Sequence, residues 1–129
     1  MIRTKNVHDP IDRKKDGLRI LATRSLGMYL KSSRYDVWMA NLGPTDTLRK
    51  SLAAGTISWG AFARAYRAEL KESDTIDRRN GKIKNQGQKF TLRLLKELGR
   101  KGPVTLMCHC EDEDRCHRSV LKKVLAGKV

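Results

Sequence analysis

The sequence predicts an α/β fold: one small domain over residues 1–129, with a mostly parallel sheet flanked by helices in Rossmann-like layers. Three observations carry this. Strand-like segments open the chain, helical periodicity fills its middle, and the short, mostly apolar segment "VTLMC" from Val104 precedes a final amphipathic helix. Strands that precede helices at both ends of a chain favour layered α/β packing, in which ligands gather beyond the carboxyl ends of the strands.

Ile2 to Val7 alternate weakly and run into "HDP", a turn signal closed by Pro10, which suits a short strand. "IDRKKDG" then reads as an exposed basic loop. Leu18 to Arg24, "LRILATR", predicts a second strand whose basic end points into a cleft. Asp36 to Leu42 reads as a short helix carrying Trp38, ended by Gly43 and Pro44, after which Thr45 caps a helix running through Leu52 to a stop at Gly55.

"SWGAFARAYRAELKES" places Phe62, Tyr66 and Leu70 at steps of four, with Ser58 where an N-cap belongs. Trp38, Trp59, Phe62 and Tyr66 are read as core aromatics. Asp74 to Gln88 is basic, amide-rich and turn-prone at Asn80–Gly81, and is expected to be an exposed loop or mobile hairpin. Helical spacing returns at Phe90, Leu94, Leu95 and Leu98 and is expected to stop at Gly99 and Gly102. "VTLMC" has the composition of a strand buried on both faces. Val120, Leu121, Val124 and Leu125 then form the apolar stripe of a last helix ending at Gly127.

At 129 residues, 28 of them basic and 14 acidic, the chain carries a formal charge of +14. Four of those acids stand together at Glu111 to Asp114, so the rest of the chain is more basic still. Such a balance predicts attraction to nucleic acid, to anionic nucleotides or to acidic proteins, although a solubilising surface has the same charge. The longest apolar run, Val37 to Ala40, is far short of the roughly 20 residues of a membrane span, and no apolar signal core follows the N-terminus. A cytoplasmic protein without a membrane partner is expected. Three cysteines cannot all pair, and Cys108 and Cys110 lie too close on a strand to bridge, so a secreted disulfide framework is not expected.

The chemistry concentrates in "VTLMCHCEDEDRCHRSVL", Val104 to Leu121. In a metal reading, Cys108 and Cys110 project to one side of the strand end, and Cys116 and His117 return to complete four soft ligands suited to zinc. In a reactive-thiol reading, Cys116 lies at the N-terminus of the last helix, where unpaired amides favour an anion and lower a thiol pKa. Cys116 and His117 are then the catalytic candidates, while Arg24, Arg115, Arg118 and Ser119 are candidates for holding phosphate or nucleic acid. The cysteine phosphatase loop is not matched: from Cys110 to Arg118 the interval is two residues too long, lacks glycine and is filled with acids. In the plainest reading Cys108 and Cys110 are small core residues and the acids favour the positive end of the last helix.

These residues resemble a known family along nearly the whole chain. "IRTKNVHDP", "RILATR", "WMANLGPTDTLRKSL", "WGAFARAYRAEL" and "LLKELGRKGPVTLMCHC" are similar to successive segments of the YeaO-like bacterial proteins, the domain of unknown function numbered 488. The most specific likeness is Cys108 followed eight residues later by Cys116–His117–Arg118. The resemblance implies a small α/β domain and no defined activity. Two departures stand out: "SLGMYLKSS" after Arg24 replaces the Trp-Pro-Arg-Gly turn of many relatives, and Cys110 replaces an acidic residue.

Three functions therefore compete. One is binding or processing of a nucleotide or nucleic acid in a basic cleft beside the Cys-His-Arg turn. Another is non-catalytic nucleic-acid binding through "ARAYRAELK" and "DRRNGKIKNQGQK". The third is a zinc-stabilised or redox-responsive structural domain.

Overall fold

A computed structural model describes residues 1–27, 29–71, 74–75, 84–85 and 89–127. Strand β1, Ile2–Asn6, is followed by a one-turn helix α1, Arg13–Asp16, where a loop is expected from the sequence. The turn forms because the Asp12 carboxylate accepts from the Lys15 amide, and because buried Asp16 is held by the Lys5 ammonium at 2.9 Å. Gly17 follows with φ +58°, and a Cβ there would lie 2.1 Å from the Pro103 carbonyl oxygen. Only glycine lets the chain approach so closely, and the contact places β2, Leu18–Leu21, with the Leu18 amide donating to the same oxygen at 3.1 Å.

The expected helix at 36–42 is instead a two-residue strand, β3, Val37–Trp38, followed by a 3-10 turn at Ala40–Leu42. Its extended backbone exists because it pairs with β2, Val37 opposite Ile20 and Trp38 opposite Leu21. Trp38 is not a core residue: it is 41% exposed, and its indole donates to the Thr23 carbonyl at 2.7 Å.

Helix α2, Asp46–Ala53, is capped by Thr45 as its sequence predicts, with the hydroxyl accepting from the Leu48 amide at 3.3 Å. Helix α3, Trp59–Lys71, likewise starts from Ser58, whose hydroxyl accepts from Ala61, and buries Phe62, Tyr66 and Leu70. Short strands β4, Asp74–Thr75, and β5, Lys84–Asn85, pair antiparallel, in keeping with a hairpin; the rest of that basic segment lies outside the described residues.

Helix α4, Lys89–Lys101, runs through Gly99 rather than stopping there. A Cβ at Gly99 would meet Ile2 at 2.7 Å, so this glycine is there for the close packing of β1 on the helix. Strand β6, Val104–Cys108, is buried at every position, and helix α5, His117–Ala126, closes the fold.

The sheet is all parallel in the order β1-β6-β2-β3. Two-residue alternation sends Val104, Leu106 and Ile20 into the main core beneath the helices, together with Phe62, Tyr66, Leu95 and Leu121. Met107 and Leu21 face the other way, into a smaller cluster with Val7. Among the described residues, no helix is long and apolar enough to cross a membrane.

Candidate functional site

The site is built where β6 and β2 end side by side. Cys108 closes β6 on the face of Leu106 and is fully buried; Cys116, also buried, is the N-cap residue of α5, and His117 is that helix's first residue. The loop between them folds back through a 3-10 turn at Glu113–Arg115, started by the Asp112 carboxylate accepting from the Asp114 amide at 3.0 Å. The result is that Cys108, Cys110, Cys116 and His117 bring one ligand atom each to within 4.8 Å of one another.

Arg118 holds this loop closed. Its Nη1 donates to the Cys108 sulfur at 3.0 Å and to the Cys110 carbonyl at 2.7 Å, and its Nε donates to Glu113 at 2.6 Å. The other Glu113 oxygen accepts from the Thr4 hydroxyl, and Asn6 donates to the Cys110 carbonyl at 3.0 Å, so β1 also grips the loop. Burial works against the Arg118 charge, but the Cys108 thiolate and the Glu113 carboxylate outweigh it and raise its pKa.

His117 Nε2 lies 2.5 Å from the Ala22 carbonyl, which can only accept, so Nε2 carries the proton and Nδ1 keeps the ring's lone pair. Burial holds the His117 pKa below its ordinary value, which keeps the ring neutral. The Cys108 thiol is pulled far down by hydrogen bonds from the thiols of Cys110 and Cys116. Those two are pushed up in turn, Cys110 to about 11, chiefly through the same bonds to Cys108. At Cys116 the shift runs opposite to the sequence expectation of a lowered pKa, because the neighbouring Cys108 and Cys110 thiols and burial disfavour a second charge there.

A cavity of about 190 Å³ adjoins the cluster, with Cys110 and His117 in its wall. Arg24 and Arg115, both singled out in the sequence, line it together with Arg49. Arg24 is steadied by donating from Nε to the Gly43 carbonyl at 2.9 Å. Gly43 has no room for a side chain, since a Cβ would come within 2.5 Å of the Arg24 amide. Trp59 and Phe62 supply an apolar wall, their rings stacked at 5.2 Å, and the ladder continues through Tyr66, which meets His117 edge-on at 5.7 Å.

The structure does not bring all the sequence candidates into this cleft. Arg118 faces inward and is 2% exposed, its named bonds all going to protein groups. The Ser119 hydroxyl donates to the Cys116 carbonyl at 2.7 Å, one turn back on its own helix. Arg49, Trp59, Asn6 and Glu113 were not foreseen. Asn6 stands at a strand's carboxyl end, where the layered fold collects ligands, and that signal was available. Arg49 and Trp59 carry no comparable mark.

The family model DUF488-N3a, described as the active DUF488-N3 subclade, matches residues 2–128. The uncharacterized protein YeaO of Escherichia coli (strain K12) is 26% identical over 122 residues, spanning 93% of this chain and 92% of that protein. No solved structure gives a significant match.

Proposed function

This chain belongs to the YeaO-like DUF488 family, in its active N3 subclade, and from that premise we propose that it binds a nucleotide-class anion, free or within a nucleic acid, in the arginine-lined cleft. One observation carries the reading: Cys110 and His117 belong both to the buried thiol–imidazole cluster and to the wall of a cavity that Arg24, Arg49 and Arg115 line. Guanidinium groups suit phosphate by charge and planar geometry, and the Trp59–Phe62 wall suits a base or sugar face. At about 190 Å³ the cavity is smaller than the roughly 300–1,000 Å³ of typical ligand pockets, so it fits one phosphorylated unit rather than a dinucleotide. The net charge of +14 extends the same preference to phosphodiester backbones.

The description of the matched family as active favours chemistry at this cluster. The catalytic role read from sequence for Cys116 and His117 is extended to the whole group, since Cys108 and Cys110 lie in the same cluster. Titration of nucleoside monophosphates against the intrinsic fluorescence of a Trp38→Phe variant, which leaves Trp59 as reporter, tests the proposal. Saturable quenching that falls with salt and is lost in Arg24→Ala and Arg115→Ala is expected. Quenching that is absent, or indifferent to both arginines, removes the reading; binding to oligonucleotides alone would turn it into non-catalytic nucleic-acid recognition.

A second reading is favoured by the donor set itself. Three sulfurs and an imidazole nitrogen gathered within 4.8 Å suit a tetrahedral zinc ion, and the hydrogen bond from His117 Nε2 to Ala22 is the kind of outer contact that orients a metal-binding imidazole. Metal content of the protein purified without an affinity tag tests it: about one zinc per chain is expected, and none would remove it.

A further inference from the structure

The four members of the cluster are not equivalent. Cys108 and Cys116 are fully buried, and His117 is 9% exposed with its ring pinned between the Ala22 carbonyl and the edge contact to Tyr66. Cys108 is fixed further by its place at the end of a central strand and by the Arg118 N–H on its sulfur. Cys110 is half-buried and faces the arginine-lined cleft. What anchors it is its main chain, whose carbonyl accepts from Asn6 and Arg118. Those bonds fix the loop, while the Cys110 side chain touches the cluster through the neighbouring thiols and borders the cleft on its other side.

We propose that Cys108, Cys116 and His117 form a fixed three-ligand metal seat and that Cys110 is its exchangeable fourth ligand, displaced when an anionic oxygen enters from the cleft. The inference rests on the zinc reading and adds a substrate-accessible position to it. Three protein ligands with one position open to solvent or substrate is the arrangement of catalytic zinc sites, whereas four fixed ligands make a closed structural one. In the exchange the metal–sulfur bond of Cys110 breaks and a metal–oxygen bond to the incoming phosphoryl or carboxyl group forms. The released thiolate takes up one proton from the solvent buffer, so the exchange consumes one proton, and the metal stays divalent throughout. Arg24, Arg49 and Arg115 draw the anion to the side of the cluster on which Cys110 lies.

The test uses the full chain, untagged, loaded with cobalt(II), whose visible bands report ligand type and geometry, and titrated with inorganic phosphate. Wild type is expected to bind one cobalt and to change its visible bands as phosphate is added. Cys110→Ala should still bind cobalt, with loss of roughly one-third of the sulfur-to-metal charge-transfer intensity because one of three thiolates is gone. Cys108→Ser and Cys116→Ser should lose the metal; should they fail to fold by circular dichroism, Cys110→Ala against wild type decides alone. Loss of cobalt in a folded Cys110→Ala protein, or bands indifferent to phosphate, would overturn the exchange while leaving the zinc reading standing. Absence of cobalt binding by wild type would overturn both.

Discussion

Replacing Arg118 by methionine removes a guanidinium at the centre of the loop that assembles the cluster, and the structure allows the cost to be worked out. Three hydrogen bonds disappear: to the Cys108 sulfur at 3.0 Å, to the Cys110 carbonyl at 2.7 Å and to Glu113 at 2.6 Å. Hydrogen bonds to charged groups contribute about 1.5–3 kcal/mol each and neutral ones about 1 kcal/mol. Two discounts apply. Glu113 is 47% exposed, so water screens that pair to about 1 kcal/mol or less, and the Cys110 carbonyl keeps its bond from Asn6. Methionine refills most of the volume and leaves no buried unpaired guanidinium, which lowers the cost further. The net expectation is a loss of about 2–4 kcal/mol, which in a chain of this size corresponds to a fall in Tm of about 8–15 °C.

Urea unfolding followed by circular dichroism measures it, with an unchanged slope showing that the midpoint shift is a stability change. The buried thiols should at the same time become reactive toward a disulfide reagent. Glu113→Gln, which cuts only the screened pair, should cost about 1 kcal/mol or less. An Arg118→Met protein within about 0.5 kcal/mol of wild type, or a Glu113→Gln loss as large as that of Arg118→Met, would refute the assignment of Arg118 as the loop's central tie.

Other substitutions probe the scaffold beneath the site. Tyr66→Phe strips the hydroxyl that donates to the Leu42 carbonyl in the core and should lower the urea-derived stability by about 1–2 kcal/mol. Gly17→Ala forces a side chain into positive φ against the Pro103 carbonyl and should cost at least ~2 kcal/mol by the same measurement. Thr45→Ala loses both the cap of α2 and the hydroxyl's bond to Glu69 at 2.7 Å; a loss of about 1 kcal/mol or more in thermal unfolding is expected. Hydrogen bonds from the Arg19 side chain, then from its backbone, lower the pKa of Asp36. Its contribution is therefore complete above the unfolded carboxylate value near 4 and is lost as pH falls through the lower folded value. Stability of Asp36→Asn measured against pH should fall less steeply than wild type on that acid side.

The elements legible in the sequence are those whose periodicity is enforced by burial on one face. Phe62, Tyr66 and Leu70 repeat at steps of four because α3 packs one stripe into the main core, and β6 reads as a buried strand because it is central, with Val104, Leu106 and Met107 apolar around a buried Thr105. Strand β3 was not legible, since two residues pairing with β2 leave no pattern longer than themselves. Gly99 was misread as a stop because its cause lies in Ile2, nearly the whole chain away. Within the site, the contiguous Cys116–His117–Arg118 group was visible as chemistry, yet the direction of Arg118 was not. A sequence does not distinguish an arginine that faces a ligand from one that ties a loop, and only its 2% exposure decides. Arg49 and Trp59 come from α2 and α3, and nothing local marks them as neighbours of Cys110.

The cluster and the cleft differ in how far along the chain their parts lie. All four cluster residues fall within a single strand–loop–helix unit from Val104 to Ala126, whereas the cleft draws its walls from residues as early as Thr23. Closing the eight-residue span from Cys108 to Cys116 carries a small entropic penalty, while closing the cleft waits for distant segments to dock. The two halves of the site therefore differ in loop length, the thiol cluster closing over a short span of chain and the cleft over a long one. Native-state hydrogen exchange would register this as slower exchange in α5 than in α2, and equal protection of the two helices would contradict it. A chain whose α2 frays by heat or mutation would accordingly open the cleft wall around Arg49 while the short span from Cys108 to Cys116 keeps its thiols together.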